Sequence, residues 1–595
     1  IFNVFSMKKF FFLFFAFLSL SIFSDFEVTT STGITDGYKK SGLVYWDDIP
    51  YAKPPVGDLR WKAPRSYNNP EAKISPKKNN FCIQKTSSLG GSSQFSNDLI
   101  SGTEDCLYLD IVSPIKSSNE KLPVMFWIHG GGNTSGLKDL YDFSKMAKRH
   151  DVIVVRINYR LGPFGWFTHP AIQQNQKGLD KSSNFGTLDI ISALEWVNKN
   201  IHLFGGDSKN ITIFGESAGG HNVFSLLVSP QANSLFHKAI SMSGYTTSLP
   251  KNLAFKQDLK SSTSNNTSWS VVEKILGGNQ ENYSNEYIRK TLYDLEAQEF
   301  FHHYVKRPSY EEIPLLTNDG IVIPDIGLEK ALADTKYVAD IPIIAGSNLD
   351  EVKLWLATAE YFVELEYSLV GSILNIPKVK LKDEPAFEAF NYYRSAAWKI
   401  RGVDLPLQGL LNTGNNSLYA YRFDWDDHRR ILVADFKKLI GAAHATEIPL
   451  LAGNEKLVGG YPLSDLIYPT GISKLYTSRN MMRFWSNFAK NGNPGTSTNS
   501  VKWEPYNKTN KYTFMVLDNR SNLKMRTQAQ SFKDLSAQLY EDERINELEK
   551  CVILLQMFTF VGNDIYDENI RHYPGKCNRT DSENFLMENA SYIEY

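Results

Sequence analysis

Short runs of apolar and β-branched residues recur along the chain between longer segments with helical spacing. The runs Leu107 to Val112, Val124 to Ile128, Val152 to Ile157, Ile211 to Phe214, Ile341 to Ile344 and Leu418 to Phe423 predict strands. Helical spacing fills some of the intervals, notably Leu188 to Asn198 and the stretch from Val223 to Val228. Strands alternating with helices predict an α/β architecture, a mostly parallel sheet covered on both faces. In such sheets the sites gather at the carboxyl ends of the strands, where the loops are. The stretch from Ser261 to Glu312 is polar and sequon-rich and reads as a peripheral insertion. No internal repeat or clear linker interrupts the pattern. It therefore predicts one domain over residues 25–560, with a short tail over 561–595.

Composition adds exclusions. A formal net charge of −1 over 595 residues gives no electrostatic reason to expect nucleic acid or an anionic membrane as partner. No Gly-rich phosphate loop, zinc-spaced Cys/His set or calcium loop is present in the sequence, so no metal or organic cofactor is expected. Met7-Lys8-Lys9, the apolar run Phe10 to Leu18 and small residues ending near Ser24 read as a secretory signal peptide. Ile1 to Ser6 read as leader upstream of it, and an uncleaved anchor is the competing reading. The apolar core is short for a stable membrane span, as is Cys551 to Gly562. A secreted or periplasmic location is expected, and export permits disulfides. Cys82 and Cys106 enclose a polar loop and are expected to pair; Cys551 and Cys577 form a second candidate pair. Sequons occur at Asn265, Asn266, Asn282, Asn415, Asn507, Asn578 and Asn589, among others, so surface glycans are expected in a host that adds them.

The chemistry concentrates at Gly215-Glu216-Ser217-Ala218-Gly219, where a strand-like run gives way to a helix-like one. A serine between two glycines at such a turn is a nucleophile elbow, too tight for Cβ atoms at the flanking positions. The five-residue motif alone arises by chance in about one chain of this length in five, so its partners decide its meaning. A serine hydroxyl needs a base to take its proton, and the base needs a carboxylate to fix its tautomer. Donors must also wait where the substrate oxygen becomes negative.

Upstream, the strand ending at Ile128 runs into His129-Gly130-Gly131-Gly132, whose glycines allow close backbone approach. Gly131, Gly132 and the N–H of Ala218 are the expected oxyanion donors. Downstream, the candidate bases are His302, His303, His428, His444 and His572. His302 and His303 sit in a charged, helix-like segment, whereas small residues surround His444. Candidate acids are Asp350 and Glu351 after the strand Ile341 to Ile344, with Asp424, Asp426 and Asp427 as rivals. Composition and spacing leave the acid open.

These pieces carry a resemblance. The chain resembles the type-B carboxylesterase and cholinesterase family of α/β-hydrolases from about residue 27 to residue 560. The matching pieces are Ile49 to Gly57 with Leu59-Arg60, Glu104 to Leu109, His129 to Gly132 and Asn158-Tyr159-Arg160. Phe204 to Asp207, the elbow, Gly441 to Pro449 and Trp485 to Lys490 complete them. The resemblance implies the α/β-hydrolase fold: a large, mostly parallel central sheet with helices on both faces and peripheral insertions. It implies a Ser217–Glu351–His444 triad and an oxyanion hole of Gly131, Gly132 and Ala218. Cys82–Cys106 corresponds to the family's first disulfide, and Arg60–Glu104 and Arg160–Asp189 to its structural ion pairs. Ser243 corresponds to a hydroxyl lying behind the triad, and Glu216 to an acidic residue that lines the pocket.

The implied activity is hydrolysis of a carboxylic ester, a small molecule, through an acyl-enzyme. A lipase or an amide or carbamate hydrolase on the same site is the alternative, and a non-catalytic adhesion domain a more distant one. Three positions depart from the family's pattern. Val352 stands where a glycine usually follows the acid, and Asn133 where an aromatic residue often follows the glycines. No tryptophan lies between Cys82 and Cys106, where cholinesterases hold a quaternary ammonium by cation–π contact, which weighs against choline esters.

Overall fold

The computed structural model describes residues 26–77, 79–86, 100–115, 120–255, 267–304, 316–366, 378–431, 434–453 and 467–589. The leader and signal segment over 1–24, the sequons at Asn265 and Asn266, and parts of the 261–312 insertion and of the Cys82–Cys106 loop lie outside them.

An eleven-stranded sheet organises the chain. Its strands are β1 (Tyr38–Lys40), β2 (Leu43–Pro50), β3 (Tyr108–Pro114), β4 (Leu122–Ile128), β5 (Ile153–Ile157) and β6 (Gly206–Glu216). They continue as β7 (Lys238–Met242), β8 (Ile343–Asn348), β9 (Leu418–Phe423), β10 (Thr513–Leu517) and β11 (Lys524–Thr527). The order across the sheet is β11-β10-β9-β8-β7-β6-β4-β5-β3-β2-β1. Neighbours from β5 to β10 run parallel, and the edges are antiparallel. This is the α/β-hydrolase fold.

The six runs read from sequence all lie in this sheet. Sequence reading passed over β1, β2, β7, β10 and β11. Asp47 and Asp48 interrupt the apolar run of β2, where a bulge separates Trp46 from Ile49. In β7, Lys238 and Ser241 break the hydrophobic pattern, yet every residue is buried. Strand β11 is a polar edge.

Alternation along β4 divides the core between two faces. Val124, Phe126 and Ile128 pack with the helix α1 (Phe185–Asn200), and Met125 and Trp127 with the helix α4 (Ile472–Asn491). The elbow opens the helix α2 (Ala218–Val228), all of it buried. A third cluster joins the helix α3 (Glu384–Lys399) to α5 (Glu547–Thr559). Both expected disulfides are formed, Cys82–Cys106 and Cys551–Cys577. The second ties α5 to the segment leading into the helix Arg579–Glu588. Among the sequons, Asn282 and Asn578 are exposed, whereas Asn415 is buried and donates to the Ile341 carbonyl at 2.7 Å. No helix among the described residues is long and apolar enough to cross a membrane.

Register sets the depth at which the strands end. Gly215 pairs with Ile128 and with Ser241, Ser241 with Ala345, and Gly346 with Tyr421. The loops after β4, β6, β7 and β8 therefore emerge side by side. Below them, Asp189 of α1 is fully buried and accepts from Arg160 at Nε and Nη2, both at 2.7 Å, and at its backbone N–H at 3.1 Å. Burial alone would push the Asp189 carboxyl up, and the guanidinium opposes that rise. Asp189→Ala leaves a buried cation uncompensated, which costs about 3–5 kcal/mol. The measurement is the urea unfolding midpoint, expected to fall accordingly; a midpoint within error of the wild type would remove this pair from the structural supports.

Candidate active site

Ser217 sits between β6 and α2 with φ 57° and ψ −122°. A non-glycine residue in this region stores about 1–3 kcal/mol of strain, which persists only where the surroundings over-determine it. Here the Ser217 N–H donates to Met242 O and its carbonyl accepts from the His221 N–H, each at 2.9 Å. A Cβ on Gly219 would fall 2.1 Å from the Ile128 carbonyl oxygen, and one on Gly215 2.6 Å from the Gly219 carbonyl. Both flanking glycines are thus required by contact, and Ser217 itself remains half-buried.

The glycine loop lies against the same turn. A Cβ on Gly130 would stand 3.1 Å from Ser217 Cβ. Gly131 and Gly132 have φ of 102° and 63°. The Gly131 carbonyl caps the turn, accepting from the backbone of Thr134 at 3.0 Å and of Ser135 at 2.9 Å. The backbone N–H groups of Gly131 and Gly132 donate to no other group among the described residues. Ala218 opens α2, so its N–H has no intrahelical acceptor either. The Gln84 side chain supports the loop from the disulfide side, accepting from the Gly136 N–H at 2.9 Å and donating to the Gly136 carbonyl at 3.0 Å. Asn133 is fully buried, and its Oδ1 accepts from Asn222 at 2.8 Å and Tyr159 at 3.3 Å. Its amide thereby fastens the loop to α2.

Of the five candidate histidines, His444 comes to the elbow. Its Nδ1 lies 2.7 Å from Glu351 Oε2, and its N–H donates to the Glu351 carbonyl at 3.1 Å. Glu351 Oε1 accepts from the Asn348 N–H at 2.7 Å, which fixes the carboxyl group at the end of β8. On the far side of the ring, Nε2 is 3.2 Å from Glu216 Oε1. The rival acids serve elsewhere. Asp350 holds Asn391 and the Ala442 N–H, Asp424 pairs with Arg422, Asp426 with Lys437, and Asp427 with Ser473. His428 is buried on the Gly441 carbonyl, and His302 and His572 are exposed. Val352 adopts φ −84° and ψ −6°, an ordinary conformation that needs no glycine. Ser243, at φ 46°, donates its N–H to the Gly346 carbonyl at 2.8 Å, and its hydroxyl is buried behind the elbow.

Two features escaped sequence reading. First, a third glutamate, Glu447, is fully buried beside the pair and accepts from Asn348 Nδ2 at 2.6 Å. Desolvation, with Glu216 and Glu351 nearby, pushes its carboxyl up to about 8. Desolvation and the nearby Glu351 likewise raise Glu216 well above the usual carboxylate range. Second, the imidazole has an aromatic wall. Trp398 of α3 lies 4.7 Å and Trp355 5.1 Å from the His444 ring centroid. Phe560, just beyond α5, meets both tryptophans edge-on. Glu447 sits three residues after His444, a spacing legible in the sequence, but the tryptophans and Phe560 carry no local signal.

Comparison with known proteins identifies the family. A model of the carboxylesterase family matches residues 24–381 and 403–534. The chain is 32% identical over 498 residues to a para-nitrobenzyl esterase of Bacillus subtilis, covering 82% of this chain and 94% of that one. It is also 32% identical to carboxylesterase 1E of Rattus norvegicus, over 75% of this chain and 81% of the other. A solved thermophilic PNB esterase superposes with a TM-score of 0.64 at 29% identity, covering 86% of this chain and 99% of that one. The chain belongs to the carboxylesterase family and is a carboxylic ester hydrolase.

Proposed function

We propose that Ser217, His444 and Glu351 form a catalytic triad that cleaves carboxylic esters through an acyl-enzyme. The observation that carries this reading is the 2.7 Å contact between His444 Nδ1 and Glu351, set at the strand ends beside a strained serine. Glu351 holds the imidazole in the tautomer whose Nε2 accepts a proton. Ser217 Oγ attacks the ester carbonyl as its proton passes to Nε2. The oxyanion that forms meets the N–H groups of Gly131, Gly132 and Ala218. His444 then returns the proton to the leaving alcohol, which departs and leaves an acyl group on Ser217. Water repeats the attack, with His444 again the base, and releases the acid. Ser243 stands behind the elbow as support, and Glu216 borders the pocket beside Nε2.

Two disulfides fit export into an oxidising compartment, in keeping with the signal-like residues 1–24. In that setting the exposed Asn282 and Asn578 are the sequons best placed for glycans. The hydrolase domain is read as residues 25–560, and residues 561–595 as a tail anchored through Cys577.

Three results test the reading. Ser217→Ala lowers kcat for p-nitrophenyl butyrate by about a million-fold, the scale seen when a triad loses its nucleophile, with an unchanged circular dichroism spectrum. Residual turnover near the wild-type rate would remove Ser217 from its role. Glu351→Gln, which keeps the shape but loses the charge, lowers kcat by about ten-thousand-fold. The third concerns Glu447, whose folded pKa stands above its ordinary 4.5 at about 8. Between those values the folded state holds a proton that the unfolded state releases, so this group makes stability fall as pH rises. Urea midpoints measured at pH 5 and pH 8 should therefore drop more steeply in the wild type than in Glu447→Gln. Parallel drops would show that Glu447 is not held protonated.

A further inference from the structure

Behind the aromatic wall lies a cation that the triad does not use. Arg394 of α3 is 3% exposed, and its Nε and Nη1 have no hydrogen-bond partner among the described residues. No carboxylate pairs with it there, and burial alone acts on it, pulling its pKa down to about 9. It therefore remains a cation at neutral pH. Its Cζ lies 5.6 Å from the centroid of the Phe560 ring. Arg401, two turns further along, makes the contrast. Its Nη1 donates to the Phe560 carbonyl at 2.9 Å, and its Nη2 donates to Asn563 O. Buried guanidinium groups are expected to be paired and hydrogen-bonded, so the unmet donors of Arg394 call for an anionic oxygen from outside.

The position of Arg394 connects it to the reacting centre. Arg394 and Trp398 are four residues apart and share one face of α3. Trp398 stacks on Trp355 at 5.9 Å, and the two rings flank His444. Phe560 closes against Trp398 at 5.3 Å, and it and Trp355 are both partly exposed. Directly after Trp398 and Lys399 the helix widens into a π-turn, Ile400–Asp404, a distortion frequent at functional sites. That turn brings Gly402 so close to the Gly244 carbonyl, just past the Ser243 support, that a Cβ would stand 2.2 Å from it. Trp398 Nε1 donates to the same carbonyl at 3.3 Å. One face of one helix thus runs from the elbow's backing, past the imidazole, to a guanidinium whose Nε and Nη1 have no partner among the described residues.

We propose that Arg394 is a specificity-determining residue and that the preferred substrates are esters bearing a carboxylate on one of their two halves. The carboxylate accepts hydrogen bonds from the Arg394 guanidinium while the ester carbonyl sits over Ser217 and the chain between them crosses the Trp355, Trp398 and Phe560 rings. This rests on the triad reading above. Charge-assisted hydrogen bonds in a desolvated site favour the anionic ester over its neutral counterpart by about tenfold or more.

The experiment measures kcat/KM of the full-length protein on two matched pairs. Mono-p-nitrophenyl adipate against p-nitrophenyl hexanoate places the charge on the acyl half, and 4-acetoxybutyrate against butyl acetate, followed by pH-stat, places it on the alcohol half. The expected result is a preference of about tenfold or more for the anion in at least one pair. In Arg394→Met that preference ratio falls by about tenfold or more, mainly through KM, and Arg394→Lys restores part of it. Equal or slower turnover of the anion in both pairs by the wild type overturns the proposal without reference to any variant, as does a ratio unchanged in a folded Arg394→Met. If Ser217 takes up an organophosphate and the neutral esters turn over, such a failure concerns Arg394 alone. Loss of labelling and of all turnover would instead bring down the triad reading, and this proposal with it.

Discussion

The contact between the Gly219 α-carbon and the carbonyl of Ile128 is the constraint on which the site depends. No side chain fits at that crossing, so α2 begins hard against β4 and the chain must turn through a positive φ at Ser217. The strain is carried by α2, buried along its whole length, and by the Ser217 N–H bond to Met242 in β7. Because β4, β6 and β7 are hydrogen-bonded in register, fixing the elbow also fixes where the glycine loop and Ser243 emerge. A one-residue slip between β6 and either neighbour would send these loops to different depths.

Electrostatics then separates three buried glutamates that lie within one neighbourhood. All three side chains are buried, so each charge raises the cost of the next. Glu216 and Glu447 are driven toward the protonated form, Glu447 while bonded by Asn348 Nδ2. Glu351 is distinguished by its partners: the backbone N–H of Asn348 on one oxygen and the imidazole of His444 on the other. Donors and geometry thus support Glu351 as the proposed acid, since all three side chains are of the same type.

This explains why the site was only partly legible in the sequence. The elbow and the glycine loop announce themselves because steric exclusion demands glycine at fixed offsets, and glycine is visible in a single chain. Strands with unbroken apolar runs, such as β4 and β9, were equally plain. Strand β7 was not, since Lys238 and Ser241 are buried through contacts that no local pattern encodes. The acid stayed open among Asp350, Glu351, Asp424, Asp426 and Asp427, because spacing does not tell which carboxylate reaches the base and adjacent residues on a turn point opposite ways. Only the structure sends Asp350 to Asn391 and Ala442 and Glu351 to His444. Resemblance to a family supplied that assignment where pattern could not.

The aromatic wall was invisible for a deeper reason. Its residues come from the turn after β8, from the last turn of α3 and from just past α5, and they meet against the third core cluster. Ser217, Glu351 and the glycine loop, by contrast, hang from parallel strands whose ends are fixed by register. On the proposed reading, reaction and recognition rest on different supports, one on the sheet and the other on a helical layer packed over it. Substitutions in that layer can change which ester is accommodated without moving the nucleophile, which is how one fold comes to serve many substrates. The disulfide Cys551–Cys577 belongs to the second support. It clamps the helix that delivers Phe560, so elements near the C-terminal end of the described chain take part in building the aromatic wall although they lie far from Ser217 in sequence.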